Sequence, residues 1–401
     1  MARAARSLDD LRPLWYITNV TRARFLITGL AIAYPVMFYC AMRSQMAGWA
    51  QRHDFLNLYT GATLAHMHDF GRLYDPGRQF EIEHSLVPDL PAVVPFVRPP
   101  VYAALLEPLA TLPLPSAFRI WLAFQIALLM MSWGWAIWKF GPNGLIWSVM
   151  FLPTAVGVAN GQDCPMILIL MIVAYELAEP GWVFASGLVI GLSLFKFHLL
   201  LLFPVLMLAS RRWRMLLGYC SSAAIMVITS AMLGGWKSLL DYARLLQRKD
   251  IERLSPSPER MSNIYAIATN LGVESPGVST VLFALVIVIT FFAAWRAPLW
   301  RWFAAIIAGS LLMVPHVYIY DTAALFLTTL LTIFLAKTKT ARSAAVVVAL
   351  PFTFWMPTLG RPWVMIPSVA ILFLLIALAA EPTEEATVKG YGEANRALSC
   401  P

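Results

Sequence analysis

Charge is scarce in this sequence. Charged side chains make up 13% of its 401 residues, about half the share found in a soluble domain. That shortage excludes an ordinary water-soluble globular protein. Cysteine is also scarce. There are four (Cys40, Cys164, Cys220 and Cys400), with no C-x-x-C or other metal-like spacing, and three of them lie in or beside apolar segments, so they read as inert core thiols. The six histidines include His66 and His68, whose spacing is not that of a helical zinc pair. No metal site and no cofactor is expected. A Gly-rich nucleotide loop, a Walker motif and a G-x-S-x-G elbow are all missing, which argues against a nucleotide-fuelled pump and against a serine hydrolase. The chain has no repeat of fixed period and no low-complexity tract.

What the sequence does hold is apolar residues, at 59%. A bilayer-spanning helix needs about 20 of them in a row, mostly uninterrupted. Candidate spans follow one another at residues 24–42, 116–138, 145–158, 164–178, 182–195, 197–210, 214–233, 278–295, 299–315, 321–336, 342–358 and 363–380. The expectation is an all-α integral membrane protein with about a dozen spans. Residues 1–380 form one transmembrane domain and 381–401 a polar tail. The run Val101–Leu112 is too short to span and is interrupted at Pro108, so it reads as a re-entrant or interfacial helix. The N-terminal apolar run is preceded by Arg3, Arg6, Arg12, Arg22 and Arg24 and has no small-residue cleavage site after it, so it reads as an uncleaved first span.

The basic residues test that layout. The net charge is +8, which in a soluble protein would suggest nucleic acid; here the cations sit in short loops and speak to orientation, so no nucleic-acid partner is expected. With the N-terminus inside, one set of loops holds the N-terminal arginines, Lys139, the run Arg211-Arg212-Trp213-Arg214, Arg296, Arg301, Lys337, Lys339 and Arg342. The short loops opposite hold only Lys196 and Arg361. This is the positive-inside pattern. It leaves two long outer segments, about 43–115 and 234–277, and a cytoplasmic tail.

Ionisable groups at membrane depth are costly and are functional candidates by default. Most of them fall at the outer ends of spans: Asp54, the turn Asn160-Gly161-Gln162-Asp163, Lys196 with His198, and His316 with Asp321. Asp54 at a dry edge could serve as a general base, or could pair with Arg52 or cap the next helix. Lys196 interrupts a helix pair and needs a counter-ion, which a phosphate could supply; snorkelling to the interface is the alternative. His316 could donate to a phosphate or sugar oxygen, and Asp321 could hold sugar hydroxyls or cap a helix. Arg98, before Pro99-Pro100, could clamp an anionic head group or be a plain interfacial arginine. Tyr59 and Tyr320 are aromatic and polar, suited to sugar or acceptor contact.

The order of these features resembles glycosyltransferase family 87, membrane enzymes of the GT-C superfamily that include polyprenol-phosphate-mannose-dependent α-1,2-mannosyltransferases. The matching elements are Asp54 after the first helix, Leu73-Tyr74-Asp75, Pro99-Pro100 with Leu105 and Pro108-Leu109, and Gly161-Gln162. They continue with Lys196 before an apolar helix ending in Arg211-Arg212-Trp213, and with Pro315-His316 and Tyr320-Asp321. The sequence departs from the pattern at Arg98, where an aromatic is expected, and at His198, where a proline often stands.

The resemblance implies a GT-C-type bundle in a bacterial inner membrane, with chemistry on the non-cytoplasmic face. A hexose, mannose by the family's habit, would pass from a polyprenyl-phosphate-linked donor to a glycolipid or glycan acceptor. Asp54 would be the general base. Lys196, His198, His316 and Arg98 would bind the donor phosphate, and Tyr59, Gln162, Asp163, Tyr320 and Asp321 the sugar or acceptor. The rival is a secondary transporter or flippase, which the lack of matching halves argues against.

Overall fold

The protein is described from a computed structural model, which covers residue 29 and residues 54–247, 258–273, 275–314, 316–360 and 363–382. The expected first span at 24–42 (residue 29 aside), the basic N-terminal flank, Arg52, Pro315, Arg361 and most of the tail lie outside the described residues. Among those described, every regular element is helical and none is a strand.

The first outer segment folds into α1 (Phe55–His66), α2 (Pro76–Leu86) and α3 (Pro100–Ala110). The 11-residue α3 spans about 16 Å at 1.5 Å per residue, short of a bilayer, and it packs on α1. Pro100 occupies its first turn, where a missing N–H costs nothing. Asp75 caps α2 through Gly77 N–H. On α2, Glu83 is buried and accepts from Val94 N–H at 2.8 Å. Burial pushes its carboxyl up to about 7, against the backbone hydrogen bond. A raised folded-state value gives stability that is full below the unfolded value and lost as pH rises through the folded one. Unfolding midpoints measured from pH 5 to 8 are therefore expected to fall with rising pH, by at most about 1.4 kcal/mol per unit. Glu83→Gln should remove that slope, and an unchanged slope would reject the assignment.

The bundle follows: α4 (Leu114–Phe140), α5 (Pro142–Met150), α6 (Leu152–Ala159), α7 (Cys164–Ala178) and α8 (Val183–Leu192). A 3₁₀ segment, Ser193–Leu200, leads into α9 (Leu202–Ala209) and α10 (Trp213–Gln247). Then come α11 (Ile264–Asn270), α12 (Pro276–Ala294), α13 (Leu299–Met313), a 3₁₀ turn at Ile319–Ala324, α14 (Leu325–Leu335), α15 (Lys339–Ala349), α16 (Pro351–Trp355) and α17 (Ile366–Ala379). The middle of α13, Arg301 to Leu312, is buried on every side. An all-round apolar helix of this kind forms the core, here among α12, α14, α17, α9 and α7.

Among the described residues four helices are long and apolar enough to cross a membrane: Leu114–Phe140, Val183–Leu200, Trp213–Gln247 and Pro276–Ala294. There are five if the pair α5 and α6, bent by 56°, counts as one span. The other expected spans within the described residues are shorter helices. Prolines at Pro351 and Pro357 split 342–358, and α9 keeps only 8 residues. The outer segment expected from residue 234 begins inside α10, whose helix continues to Gln247 past a break at Gly235 (φ 70°). The expected tail also starts too early, because Glu381 is buried. Its carboxylate accepts from Lys337 N–H and, at 2.5 Å, from the Thr338 hydroxyl, closing the start of α15.

Helices α8 and α10 pack closely enough for backbones to touch, which small residues permit. A Cβ on Gly218 would stand 2.1 Å from the Phe184 carbonyl oxygen, and one on Gly187 1.9 Å from that of Met215. Backbone cannot step aside, so the helices would have to part. Gly218→Ala is expected to cost about 1–3 kcal/mol or more in detergent unfolding. Gly134→Ala, which meets nothing within 4 Å, should be near neutral, and equal midpoints for the two variants would overturn the packing account.

Candidate active site

Four chain segments converge at one end of the bundle. The first is the turn between α6 and α7. Gly161 has φ +66°, the left-handed conformation that ends helices, and Gln162 N–H closes the turn on the Gly157 carbonyl at 3.0 Å. A Cβ at Gly161 would meet Phe118 and Phe55 at 3.0 Å. Its carbonyl accepts from Trp121 Nε1 at 2.8 Å. Glycine therefore lets the turn press against α1 and α4, which places Gln162 beside the first residue of α1's approach, Asp54.

Gln162 Nε2 donates to Asp54 Oδ2 at 2.6 Å. Asp54 makes no side-chain cap to α1, so the capping alternative fails; the proposed partner Arg52 is outside the described residues. The Tyr320 hydroxyl lies within electrostatic reach of the Asp54 carboxylate. Burial raises the Asp54 carboxyl above its ordinary range; the Gln162 amide and the Lys196 charge oppose that rise.

The second segment carries Lys196. Its backbone leaves the helical region (φ −127°, ψ 50°) within the 3₁₀ stretch, and the kink turns the side chain inward, where it is 3% exposed. Snorkelling is thereby excluded. Nζ lies 2.7 Å from Asp321 Oδ1, 3.1 Å from Asp163 Oδ1, 3.2 Å from Gln162 Oε1 and 3.3 Å from Cys164 Sγ. Three ammonium protons thus face four acceptors. Gln162 joins the base candidate to the cation, one end of its amide on each.

The third segment brings Arg98. It is buried, and its Nε and Nη2 reach the two oxygens of Asp163 at 2.8 and 3.2 Å. Nη1 donates to the Val97 carbonyl at 3.1 Å. The expected free clamp for a head group is therefore closed on a carboxylate, because Asp163 is fully buried and needs a counter-charge. The Tyr74 hydroxyl holds the Arg98 carbonyl at 2.7 Å.

The fourth segment is the turn before α14. Asp321 both pairs with Lys196 and caps its own turn, Oδ2 accepting from Tyr318 N–H at 3.1 Å; the capping and ion-pairing alternatives hold together. The Tyr320 ring lies 5.8 Å from Lys196 Nζ. His198 and His316 are within electrostatic reach of Lys196 and Asp321, and His316 sits at the exposed edge, edge-on to Tyr318.

Tyr59 is placed otherwise. Its hydroxyl donates to the Leu112 carbonyl at 2.7 Å, tying α1 to the turn before α4, because a buried phenol needs a partner. Two residues outside the expected set belong to the cluster. Cys164, expected to be inert, touches both Lys196 and Asp321, the latter at 3.7 Å. Tyr102 stacks on Phe195 at 4.6 Å, next to Lys196. Position was the only sequence signal for Cys164, which follows Asp163 directly. Among the described residues no three His, Cys, Asp or Glu side chains are arranged to hold a metal ion; the carboxylates face Lys196 and Arg98.

The chain matches the family model described as Glycosyltransferase family 87 over residues 96–315, more than half of its length. With its apolar helices, the protein is a multi-pass membrane glycosyltransferase. The chain belongs to glycosyltransferase family 87. Neither a curated protein nor a solved structure matches it. The matched segment contains Arg98, Gln162, Asp163, Lys196 and His198; Asp54, Tyr59, His316, Tyr320 and Asp321 lie outside it.

Proposed function

We propose that the protein transfers a hexose, mannose in the first instance, from a polyprenyl-phosphate donor to a hydroxyl of a glycolipid or glycan, on the non-cytoplasmic face of a bacterial inner membrane. The observation that carries this reading is the linked set Asp54–Gln162–Lys196: a partly buried carboxylate held by an amide whose other end meets a buried ammonium. The acceptor oxygen attacks the anomeric carbon, the bond from that carbon to the phosphate oxygen breaks, and the prenyl phosphate leaves with the electron pair. Asp54 takes the acceptor proton. The carbon develops oxocarbenium character, as in other glycosyl chemistry.

The leaving phosphate needs fixed positive donors where its charge grows. Lys196, His198 and His316 are the proposed contacts. Arg98 is assigned instead as the brace that holds Asp163, and through it Lys196, in place. Gln162, Tyr320 and Asp321 are the proposed sugar and acceptor contacts. Arg98 and Lys196 are balanced by Asp163 and Asp321, so among the described residues of this cluster the ionised Asp54 is the carboxylate left over. A single surplus negative charge suits a base and disfavours a resident anion, in keeping with a product phosphate that must depart.

The test incubates purified protein with a panel of prenyl-phosphate sugars and candidate acceptors and identifies products by mass spectrometry. Free prenyl phosphate and an acceptor one hexose heavier are expected. Movement of intact substrate across proteoliposomes, with no chemical change on any donor, would overturn the assignment in favour of a transporter. No observation favours that reading.

A further inference from the structure

At the opposite end of α8 and α9 from Lys196 lies a cavity of about 380 Å³, lined by Val183, Arg211, Arg212, Trp213, Arg214 and Met215. We propose that it is a binding site for the phosphate head group of an anionic phospholipid in the adjoining leaflet. The inference goes beyond sugar transfer and does not depend on it.

Three observations converge. The first is uncompensated charge. Three arginines line one cavity, and among the described residues none of them makes an ion pair. The carboxylates at the end of α7, just before α8, are Glu176 and Glu179, and both are taken by Lys139. Arg212 lies over the Trp302 ring at 4.7 Å, a contact that positions the cation without neutralising it.

The second is the direction of the helices. Val183 begins α8 and Trp213 begins α10. The two run side by side in the same sense, as their glycine contacts require: Gly187 meets Met215, and Gly191 meets Tyr219 and Ser222. Both positive helix ends therefore face the cavity, and neither helix has an acidic residue in its first turn. Negative charge is the usual complement there. The carbonyl end of α9 offers no substitute, since Met207 and Leu208 carbonyls accept from Arg212 and Arg211 N–H.

The third is backbone strain. Arg211 stands at φ 54°, in the turn position that glycine occupies without penalty. Arginine keeps that position at a backbone cost that glycine would avoid, in keeping with a use for its side chain.

The occupant is a lipid and not a soluble anion because of the cavity's surroundings. Val183, Trp213 and Met215 supply apolar wall. Trp182 (67% exposed), Trp213 (54%) and Leu217 (62%) stand outward beside it, as side chains do at the level of lipid head groups. A basic pocket between membrane helices with that rim suits a lipid phosphate, with the acyl chains lying along the exposed face of α10.

Native mass spectrometry of the full chain in neutral detergent tests this, with phosphatidylglycerol or phosphatidylcholine added and glycerol 3-phosphate as the soluble competitor. Retained adducts are expected to favour phosphatidylglycerol by about 10-fold or more, at about fivefold per arginine engaged. Arg211→Ala with Arg214→Ala should abolish that discrimination, and Arg211→Lys with Arg214→Lys should keep most of it. Glycerol 3-phosphate in excess should not displace the lipid. If the double alanine variant does not fold, judged by its unfolding midpoint in phosphatidylcholine, the exposed single change Arg214→Ala should still weaken retention several-fold. Unchanged discrimination in the alanine variants overturns the proposal, and displacement by glycerol 3-phosphate assigns the cavity to a soluble anion instead.

Discussion

Asp54→Asn is expected to lower sugar transfer by about 10²–10⁴-fold, the span that a general base contributes, with little change in the folded state. Asparagine keeps a carbonyl oxygen to accept from Gln162 Nε2, so the contact at 2.6 Å survives. Among the described residues Asp54 makes no ion pair, so neutralising it leaves Arg98 and Lys196 with their partners Asp163 and Asp321. What disappears is the ability to receive a proton. The pH profile carries the sharper test. Asp54 works when deprotonated, and burial has raised its carboxyl above the ordinary range. The acid limb of kcat/KM should therefore lie above about pH 4, where an unperturbed aspartate would put it. Activity falls as pH drops through the raised value, and that limb should vanish in the residual activity of Asp54→Asn. Wild-type turnover by the variant on a radiolabelled prenyl-phosphate sugar would dismiss Asp54 as the base. An acid limb still present in the variant would assign the titration to another group.

The parts of this protein that were legible in its sequence were those set by local chemistry. Val101–Leu112 betrayed itself by length and Pro108, and it is the short α3. Gly161 marked a turn, and Lys196, with apolar neighbours on both sides, announced a buried cation in want of a counter-ion. The identity of that counter-ion was not legible. Arg98 and Asp163 stand 65 positions apart in the chain, and no periodicity links them. An arginine before two prolines looks free until the fold closes it on a carboxylate. The tie made by Tyr59 was hidden for the same reason, since the Leu112 carbonyl that accepts its hydrogen bond comes from the far side of α3. Helix lengths were the other loss. A hydropathy run does not reveal that a proline inside it, or a glycine at φ 70°, divides one apparent span into two helices or carries a helix past its expected end.

The other large expected effect concerns stability and separates the roles of the two cations. Removing one partner of a buried ion pair typically costs about 3–5 kcal/mol, because the remaining charge has no solvent to turn to. Lys196→Met removes a charge that sits between two buried carboxylates. Asp163 keeps its two-bond contact with Arg98, but Asp321 loses the ammonium at 2.7 Å, its ion-pair partner among the described residues. The burden of the substitution therefore falls on Asp321. Adding Asp321→Asn to Lys196→Met should recover a large part of the loss, since a neutral amide can still accept from Tyr318 N–H. Adding Asp163→Asn instead should recover less or make matters worse, because it leaves the Arg98 guanidinium unpaired. Unfolding midpoints of the three variants in detergent decide the point. Equal recovery by both double variants would mean that Lys196 pairs with the carboxylates interchangeably, and a Lys196→Met protein as stable as the wild type would remove the ion-pair network from the forces that hold this end of the bundle. Transfer activity then divides structure from chemistry. If Lys196 also meets the leaving phosphate, Lys196→Met with Asp321→Asn will regain its fold yet turn over far more slowly than Asp321→Asn alone, the reference that Asp321's own proposed sugar contact requires, whereas a purely structural lysine would leave the two equal.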